Sequence, residues 1–270
     1  MKRKVLSFLI TFAFSLFVIG CGSVEKNDEV VNEAVEESDD ENEVAPKIDV
    51  ESEENDDADL ELVASMDDSM KFDQVSVGDV VSFGRYEGKE IEWYVLEIGD
   101  GEAVLFSQDI LWNTSYNEEP VDITWENCSL RAYLNGEFYN DSFDSSEKEM
   151  IQTVTNENAD HPCYGTSGGN QTQDNVWLLS FDDLVKYMGV SEEIYVSYCN
   201  GQMGEEEFEE YCLETDSRLL PAHHGAATSW WSRTPGHKSF RAIRVAERID
   251  QNGSQVNNYS GVRPAIRIRF

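Results

Sequence analysis

Basic residues are scarce in this sequence. Its 270 residues contain 20 Lys and Arg against 54 Asp and Glu, so the formal net charge is −34. A protein that binds nucleic acid gains affinity when clustered Lys and Arg release counterions from the phosphates, whereas a chain of this charge repels a polyanion. The composition therefore argues against nucleic acid as a partner.

Cysteine and histidine are also few, with five Cys and four His. They show neither the C-x-x-C nor the H-x-x-x-H spacing that structural zinc sites use. We therefore predict no metal and no resident cofactor. No nucleophile motif is assigned either, so we predict no catalytic residue. The alternative is an envelope enzyme whose Cys/His metal site combines His161, Cys163, Cys199, Cys212, His223 and His224.

The first 21 residues have the pattern of a targeting segment. Three basic residues at 2–4 precede an apolar run at 5–19, which is short for a membrane span and has the proportions of a signal peptide. Val18-Ile19-Gly20-Cys21 then resembles a bacterial lipobox, whose Cys receives diacylglycerol with acyl chains such as palmitate. We predict a lipoprotein signal peptide at 1–20, lipid attachment at Cys21 and anchoring on the extracytoplasmic face of the cell membrane. An uncleaved N-terminal anchor is the alternative.

Residues 22–70 lack aromatic side chains and hold 20 Asp and Glu against two Lys. Low hydrophobicity with a high charge of one sign cannot offset the entropy of ordering a chain. We predict that 21–70 comprises the lipidated Cys21 and a disordered acidic tether. Weak capture of Ca²⁺ or of a basic protein by the acidic run is the alternative.

Residues 71–270 contain all 11 Tyr and all 6 Trp, so the core belongs there. The β-type runs 80–86, 90–98 and 102–107, separated by Gly-containing turns, predict an antiparallel β-meander. Capping residues Ser129, Ser146 and Ser180 predict short helices, the first ending at Gly136. The β-type runs 240–249 and 254–259 flank a turn at 250–253, as in a C-terminal hairpin, and alternation over 262–270 predicts a last strand with one apolar and one basic face. The expected fold class is α+β, with two or three short helices.

Five motifs follow in a fixed order along this domain: ITWENCSLR from Ile123, LN and FY between Leu134 and Tyr139, WLLS from Trp177, WWSRTPG from Trp230, and GVRPA from Gly261. Together they resemble domain of unknown function 6273, a family found on surface proteins and lipoproteins of clostridia and their relatives, over residues 76–270. That family is similar to the C-type-lectin-like superfamily. The resemblance implies a C-type-lectin-like fold and no established activity. Cys128 and Ser232 depart from the family pattern.

The resemblance also directs attention to a binding surface. Val121 follows Glu119 and Pro120, so the Ca²⁺-binding Glu-Pro-Asn motif of animal lectins is missing. In the superfamily the ligand face lies near the C-terminal hairpin, which here offers Arg241, Arg244, Arg248, Asn257, Asn258 and Tyr259. Trp112, Asn113 and Tyr116, on the segment after the third strand, are ligand contacts or core residues. Trp230, Trp231 and Arg263 are predicted to be core.

Outside the cytoplasm, the Cys residues of the domain are able to form disulfides. Cys128, Cys163, Cys199 and Cys212 permit three complete pairings. We favour Cys199–Cys212, which brackets a turn and a short helix, with four free thiols as the alternative.

The predicted function is that of a membrane-anchored surface lipoprotein. Its domain is expected to be a non-catalytic recognition module for carbohydrate, peptide or protein. A structural module of an envelope complex is the remaining alternative.

Overall fold

The computed structural model of the chain describes residues 75–221 and 229–270. The predicted signal peptide, Cys21 and the acidic tether lie outside the described residues, as do His223 and His224. Within the described ranges, no helix has both the length and the apolar character that crossing a bilayer requires. The fold is α+β, as predicted, and combines antiparallel sheets with short helices.

The first sheet begins with the predicted meander, which is confirmed. Its turns place Glu87 and Gly88, and then Asp100 and Gly101, at positive φ, as two-residue hairpin turns of type I′ require. Two later strands extend the sheet to the order β1-β2-β3-β12-β7, with every pair antiparallel. The strands are β1 (Val80–Tyr86), β2 (Lys89–Gly99), β3 (Glu102–Ser107), β7 (Val176–Leu178) and β12 (Pro264–Arg269).

The second sheet has the order β10-β9-β8-β11-β4. Its strands are β4 (Trp112–Ser115), β8 (Trp230–Pro235), β9 (Arg241–Val245), β10 (Ser254–Gln255) and β11 (Tyr259–Val262). β9 and β10 form the predicted C-terminal hairpin, and β11 pairs with β8 in parallel at Gly261 and Trp230. A separate pair consists of β5 (Val154–Asn156) and β6 (Thr172–Asp174).

Six short α-helical segments occur in the part of the chain that the structure describes, more than the two or three predicted. They are α1 (Ser129–Tyr133), α2 (Tyr139–Ser142), α3 (Ser145–Met150), α4 (Phe181–Met188), α5 (Glu192–Cys199) and α6 (Glu205–Thr215). A π-helical turn, Leu134–Phe138, joins α1 to α2, and single 3₁₀ turns cover Trp125–Asn127 and Ser217–Leu219.

The structure corrects two of the predicted helix boundaries. Cys128, not Ser129, caps α1, because its Sγ accepts the N–H of Arg131 at 3.4 Å, and Gly136 lies inside the π-helical turn instead of ending the helix. α3 is capped by Asp144, which forms a capping box with Glu147. The capping box predicted at Ser180 and the left-handed C-cap at Gly189 are confirmed.

The chain passes from the second sheet to the first at Arg263, which joins β11 to β12. Arg263, Trp230 and Trp231 are fully buried, so the prediction that they are core residues is confirmed. The Arg263 guanidinium lies 4.2 Å from the ring centre of Phe106 on β3 and 5.3 Å from that of Trp230 on β8. Arg263 therefore packs between side chains of both sheets.

Candidate ligand-binding surface

Trp112 is the most accessible tryptophan of the chain. It begins β4, an edge strand of the second sheet, and is half-buried, whereas the other five Trp are buried. Its ring stacks on Tyr86 with centroids 5.0 Å apart and meets Tyr133 of α1 edge-on at 5.5 Å. Phe138 lies behind it at 5.2 Å. The indole is thus held in one orientation by three aromatic neighbours.

Two phenol groups accompany this indole. Burial and, after it, the neighbouring Tyr133 and Glu87 side chains raise the pKa of Tyr86 to about 12. The Tyr86 hydroxyl is therefore protonated at neutral pH and serves as a neutral hydrogen-bonding group.

A groove of about 290 Å³ opens beside the Trp112 ring. We call it the Trp112 groove; it is lined by Trp112, Thr114, Ser115, Glu118, Ser129, Leu130 and Tyr133. Glu118 is the one ionisable carboxylate among these residues, and the polar remainder is hydroxyl-bearing. Its lining thus consists of aromatic faces and hydroxyl groups, a combination that orients a ligand with apolar faces and polar edges.

The predicted site residues near Trp112 divide among three environments. Tyr116 is buried, donates its hydroxyl to the carbonyl of Arg233 at 3.1 Å and packs against Trp231, so it is a core residue. Asn113 is exposed and lies on the face of β4 opposite Trp112. Only Trp112 of this trio lines the groove.

Tyr259 lies next to the groove without lining it. In the β4–β11 pair it stands opposite Ser115, and its side chain is 74% exposed. Asn258, also exposed, donates to Ser254 Oγ at 2.9 Å, and Asn257 is half-buried. Tyr259 and the two Asn thus lie at the start of β11, the strand next to the edge strand β4.

The three predicted arginines lie elsewhere in the second sheet. β9, which carries Arg241 and Arg244, is separated from β4 by β8 and β11. Arg241 donates to the carbonyl of Gly253 at 2.7 Å, Arg244 lies 3.9 Å from Asp250, and Arg248 pairs with Glu205 of α6 at 2.6 Å. The arginines are committed to contacts within the domain, and they do not join Trp112 in one site.

The disulfide predicted between Cys199 and Cys212 is wrong. Cys199 is bonded to Cys163, with their Cα atoms 6.2 Å apart. Cys212 lies on the inner face of α6, where its thiol meets the backbone of Ile249, and burial raises its pKa to about 11. Burial likewise raises the pKa of the Cys128 thiol to about 12. Both free thiols are therefore protonated and weakly nucleophilic at neutral pH.

The described residues of the hypothetical Cys/His metal site do not form a ligand set. Two of its sulfurs are joined in the Cys163–Cys199 disulfide. His161 is buried, with Nε2 3.0 Å from the carbonyl of Gln251 and Nδ1 accepting the N–H of Cys163 at 3.0 Å. Burial lowers its pKa. Among the described residues, no group of three or more His, Cys, Asp or Glu has the arrangement to hold a metal ion.

The predictions from the sequence missed one motif that is known from catalytic sites. Residues 165–169 read Gly-Thr-Ser-Gly-Gly, which fits the G-x-S-x-G pattern of nucleophile elbows. A nucleophile elbow requires a strand-to-helix turn, whereas Ser167 lies in an irregular loop and its Oγ accepts the N–H of Gly169 at 3.3 Å. The serine therefore supports loop structure.

The chain matches a known protein family. Residues 100–270, more than half of the chain, match the family described as domain of unknown function DUF6273. The matched region starts at the turn between β2 and β3 and includes every residue that lines the Trp112 groove. No curated protein and no solved structure matches the chain. On the strength of this match, the chain belongs to the DUF6273 family.

Proposed function

We propose that this protein is a membrane-anchored surface lipoprotein whose C-type-lectin-like domain recognises a neutral saccharide in the Trp112 groove, without catalysing a reaction. The observation that carries the proposal is the groove itself, where a fixed indole stands beside hydroxyl-bearing side chains. A sugar ring offers an apolar face to an aromatic ring and hydroxyl groups to a polar rim. The large negative charge of the chain disfavours anionic ligands.

Several features of the architecture support a C-type-lectin-like fold. The meander β1–β3, the short helices and the β9–β10 hairpin are the parts that the family resemblance implies. The groove opens at an edge of the second sheet, near the strands that follow the C-terminal hairpin. Among the C-terminal strands, β11 adjoins the groove, whereas the β9–β10 hairpin lies at the other side of the sheet.

Trp112→Ala is expected to weaken saccharide binding at least about tenfold, because a central aromatic contact supplies a large share of binding energy. Binding is measured by calorimetry on the full chain in a polyoxyethylene detergent, with soluble neutral oligosaccharides, N-acetylglucosamine and glucose tetramers among them. In the wild type, a bound sugar should also protect Trp112 from acrylamide quenching, since it is the only Trp of the six that is not buried.

Tyr139→Ala is the matched control for that experiment. Tyr139 is half-buried and packs on Phe143, away from the groove, so its loss destabilises the fold without removing a groove contact. Equal weakening by the two variants, or no protection of Trp112 by any sugar tested, would overturn the saccharide proposal.

The anchor is tested separately. Cys21→Ala removes the only thiol that the lipobox pattern offers, so the protein should move from the membrane fraction to the soluble fraction or accumulate as an unprocessed precursor. Cys128→Ser serves as the control, because its thiol is buried in the domain. Normal processing and an unchanged membrane fraction for Cys21→Ala would contradict lipid anchoring.

A further inference from the structure

β1 forms one edge of the first sheet, and no described strand pairs with its outer side. Val95 donates its N–H to the carbonyl of Asp79 at 2.9 Å. Bonded and non-bonded positions alternate along an antiparallel ladder, so Val81 is the next residue bonded to β2. Val80 and Ser82 consequently direct their backbone N–H and C=O groups away from the sheet.

A groove of about 810 Å³ follows this edge. Six consecutive residues of β1, 80–85, form one wall, and the opposite wall comes from the junction of α2 and α3 at 141–144 together with Glu147. Successive side chains of a strand point to opposite faces. A groove lined by every residue in turn therefore lies along the edge of the strand, where an added chain would pair.

At Gly84 the edge of β1 is already bonded within the domain. The N–H of Gly84 donates to Glu147 Oε1 at 2.8 Å, so this edge amide already has an acceptor. Gly84 has φ +71°, and a Cβ at this position would lie 2.5 Å from the Phe143 ring. The stretch of edge available to another chain therefore runs from Val80 to Phe83.

The groove combines an acidic rim with one exposed apolar side chain, Val80. Four carboxylates line it against one base, Arg85; they are Glu90, Asp141, Asp144 and Glu147. Asp144 and Glu147 cap α3, and Glu90 pairs with Arg85 at 2.9 Å, while Asp141 is exposed. Val80 is 41% exposed beside them. This chemistry complements an extended segment in which basic and aliphatic residues alternate.

We propose that the β1 edge binds an extended basic segment of a partner protein as an additional antiparallel or parallel strand. Main-chain hydrogen bonds to Val80 and Ser82 would supply affinity, and the acidic rim would select Lys or Arg side chains. A second copy of this chain is disfavoured as the occupant because pairing two β1 edges brings two acidic rims together. The site is distinct from the Trp112 groove and does not depend on the saccharide proposal.

The test uses the peptide Ac-KVKVKVK-NH₂ with the full chain in a non-ionic detergent. Binding should slow hydrogen exchange in a proteolytic fragment covering 79–86. N-methylation of alternate peptide amides should abolish binding, because strand pairing needs those donors. Asp141→Lys should weaken binding at least about fivefold, since close charges set the rim potential. Glu193→Lys, the same charge change on exposed α5, should have little effect.

Ser82→Pro gives a second variant. Proline is tolerated on an edge strand where the N–H faces outward, so this change should remove one pairing donor while leaving the fold intact, and binding should be lost.

Four outcomes would overturn the proposal. Undiminished binding of the N-methylated peptide, or equal weakening by Glu193→Lys, would show electrostatic attraction without strand pairing. Slow exchange at 79–86 before peptide is added, unchanged afterwards, would show that another part of the chain covers the edge. A dimer that Ser82→Pro dissociates would identify a second copy as the occupant.

Discussion

Replacing Arg263 by Met is expected to lower the free energy of unfolding by roughly 3–5 kcal/mol, because buried acceptors would lose their donor. Arg263 is fully buried and donates to four backbone carbonyls: those of Ser107 at 3.1 Å, Gln108 at 3.0 Å, Arg218 at 2.9 Å and Leu219 at 3.4 Å. Burial lowers its pKa to about 9, so the group remains protonated at pH 7. One guanidinium thus connects the end of β3 and the 3₁₀ turn Ser217–Leu219 to the junction of β11 and β12.

Urea unfolding of Arg263→Met and of Arg269→Met measures this effect. Arg269 lies on the same C-terminal strand, but its side chain is 64% exposed and pairs with Glu102. Removing it should change stability by less than about 1 kcal/mol. Arg263→Lys keeps the charge but not the planar fork, so an intermediate loss is expected. If Arg263→Met were no less stable than Arg269→Met, the buried guanidinium would not hold the two sheets together.

Asp174→Asn is expected to cost roughly 3–4 kcal/mol, because it removes a buried charge that its neighbours are arranged to meet. The Asp174 carboxylate is fully buried. Arg131 Nε donates to Oδ1 at 2.6 Å, and Oδ2 accepts from Trp125 Nε1 at 3.1 Å, Asn156 Nδ2 at 2.9 Å and Thr172 Oγ1 at 2.6 Å. An amide at this position would turn an N–H₂ group toward donors.

Asp182→Asn is the control for this substitution. Asp182 lies in the exposed first turn of α4, where losing a carboxylate weakens only the interaction with the helix dipole, about 0.3–1 kcal/mol. Unfolding of both variants in urea gives the comparison. Equal stability of Asp174→Asn and the wild type would mean that the four donors find other acceptors, and the carboxylate would not be a structural centre.

The contacts of these two buried charged groups give structural roles to residues of three of the five sequence motifs. Trp125 and Arg131, from the first motif, meet Asp174, and Arg263, from the last, fixes the passage between sheets. Trp230 supplies an aromatic face to Arg263. The motifs that identify the chain therefore include residues with structural roles in the core, and they do not by themselves locate a ligand.

Local patterns were sufficient for the elements whose determinants are short-range. The meander β1–β3 follows from β-type runs and two Gly-containing turns, and α4 follows from its capping box and Gly189. The sequence patterns predicted neither β4 nor α5. Four residues of β4 are too few for a periodic signal, and its position depends on pairing with β11, more than 140 residues later.

The candidate site shows the same division. The sequence left Trp112 open as a ligand contact or a core residue, because Tyr86 and Tyr133, which hold its ring, come from separate parts of the chain. Tyr116 and the arginines are residue types that occur on binding surfaces. In the structure, however, Tyr116 is buried and the arginines bond to other groups of the domain, so they do not line the groove. Residue type fixes what a side chain is able to do, while its neighbours decide whether it is accessible.

The sequence by itself determined the acidic character of the chain, its family, the α+β class and the turns of the meander, because composition and short-range backbone preferences are properties of neighbouring residues. Only the tertiary structure decided the Cys163–Cys199 pairing, the burial of Arg263 and Asp174, and the two grooves. Each of these depends on distances between residues far apart in the chain. Such distances are set when the sheets and helices pack, since burial favours one arrangement of all the apolar faces together.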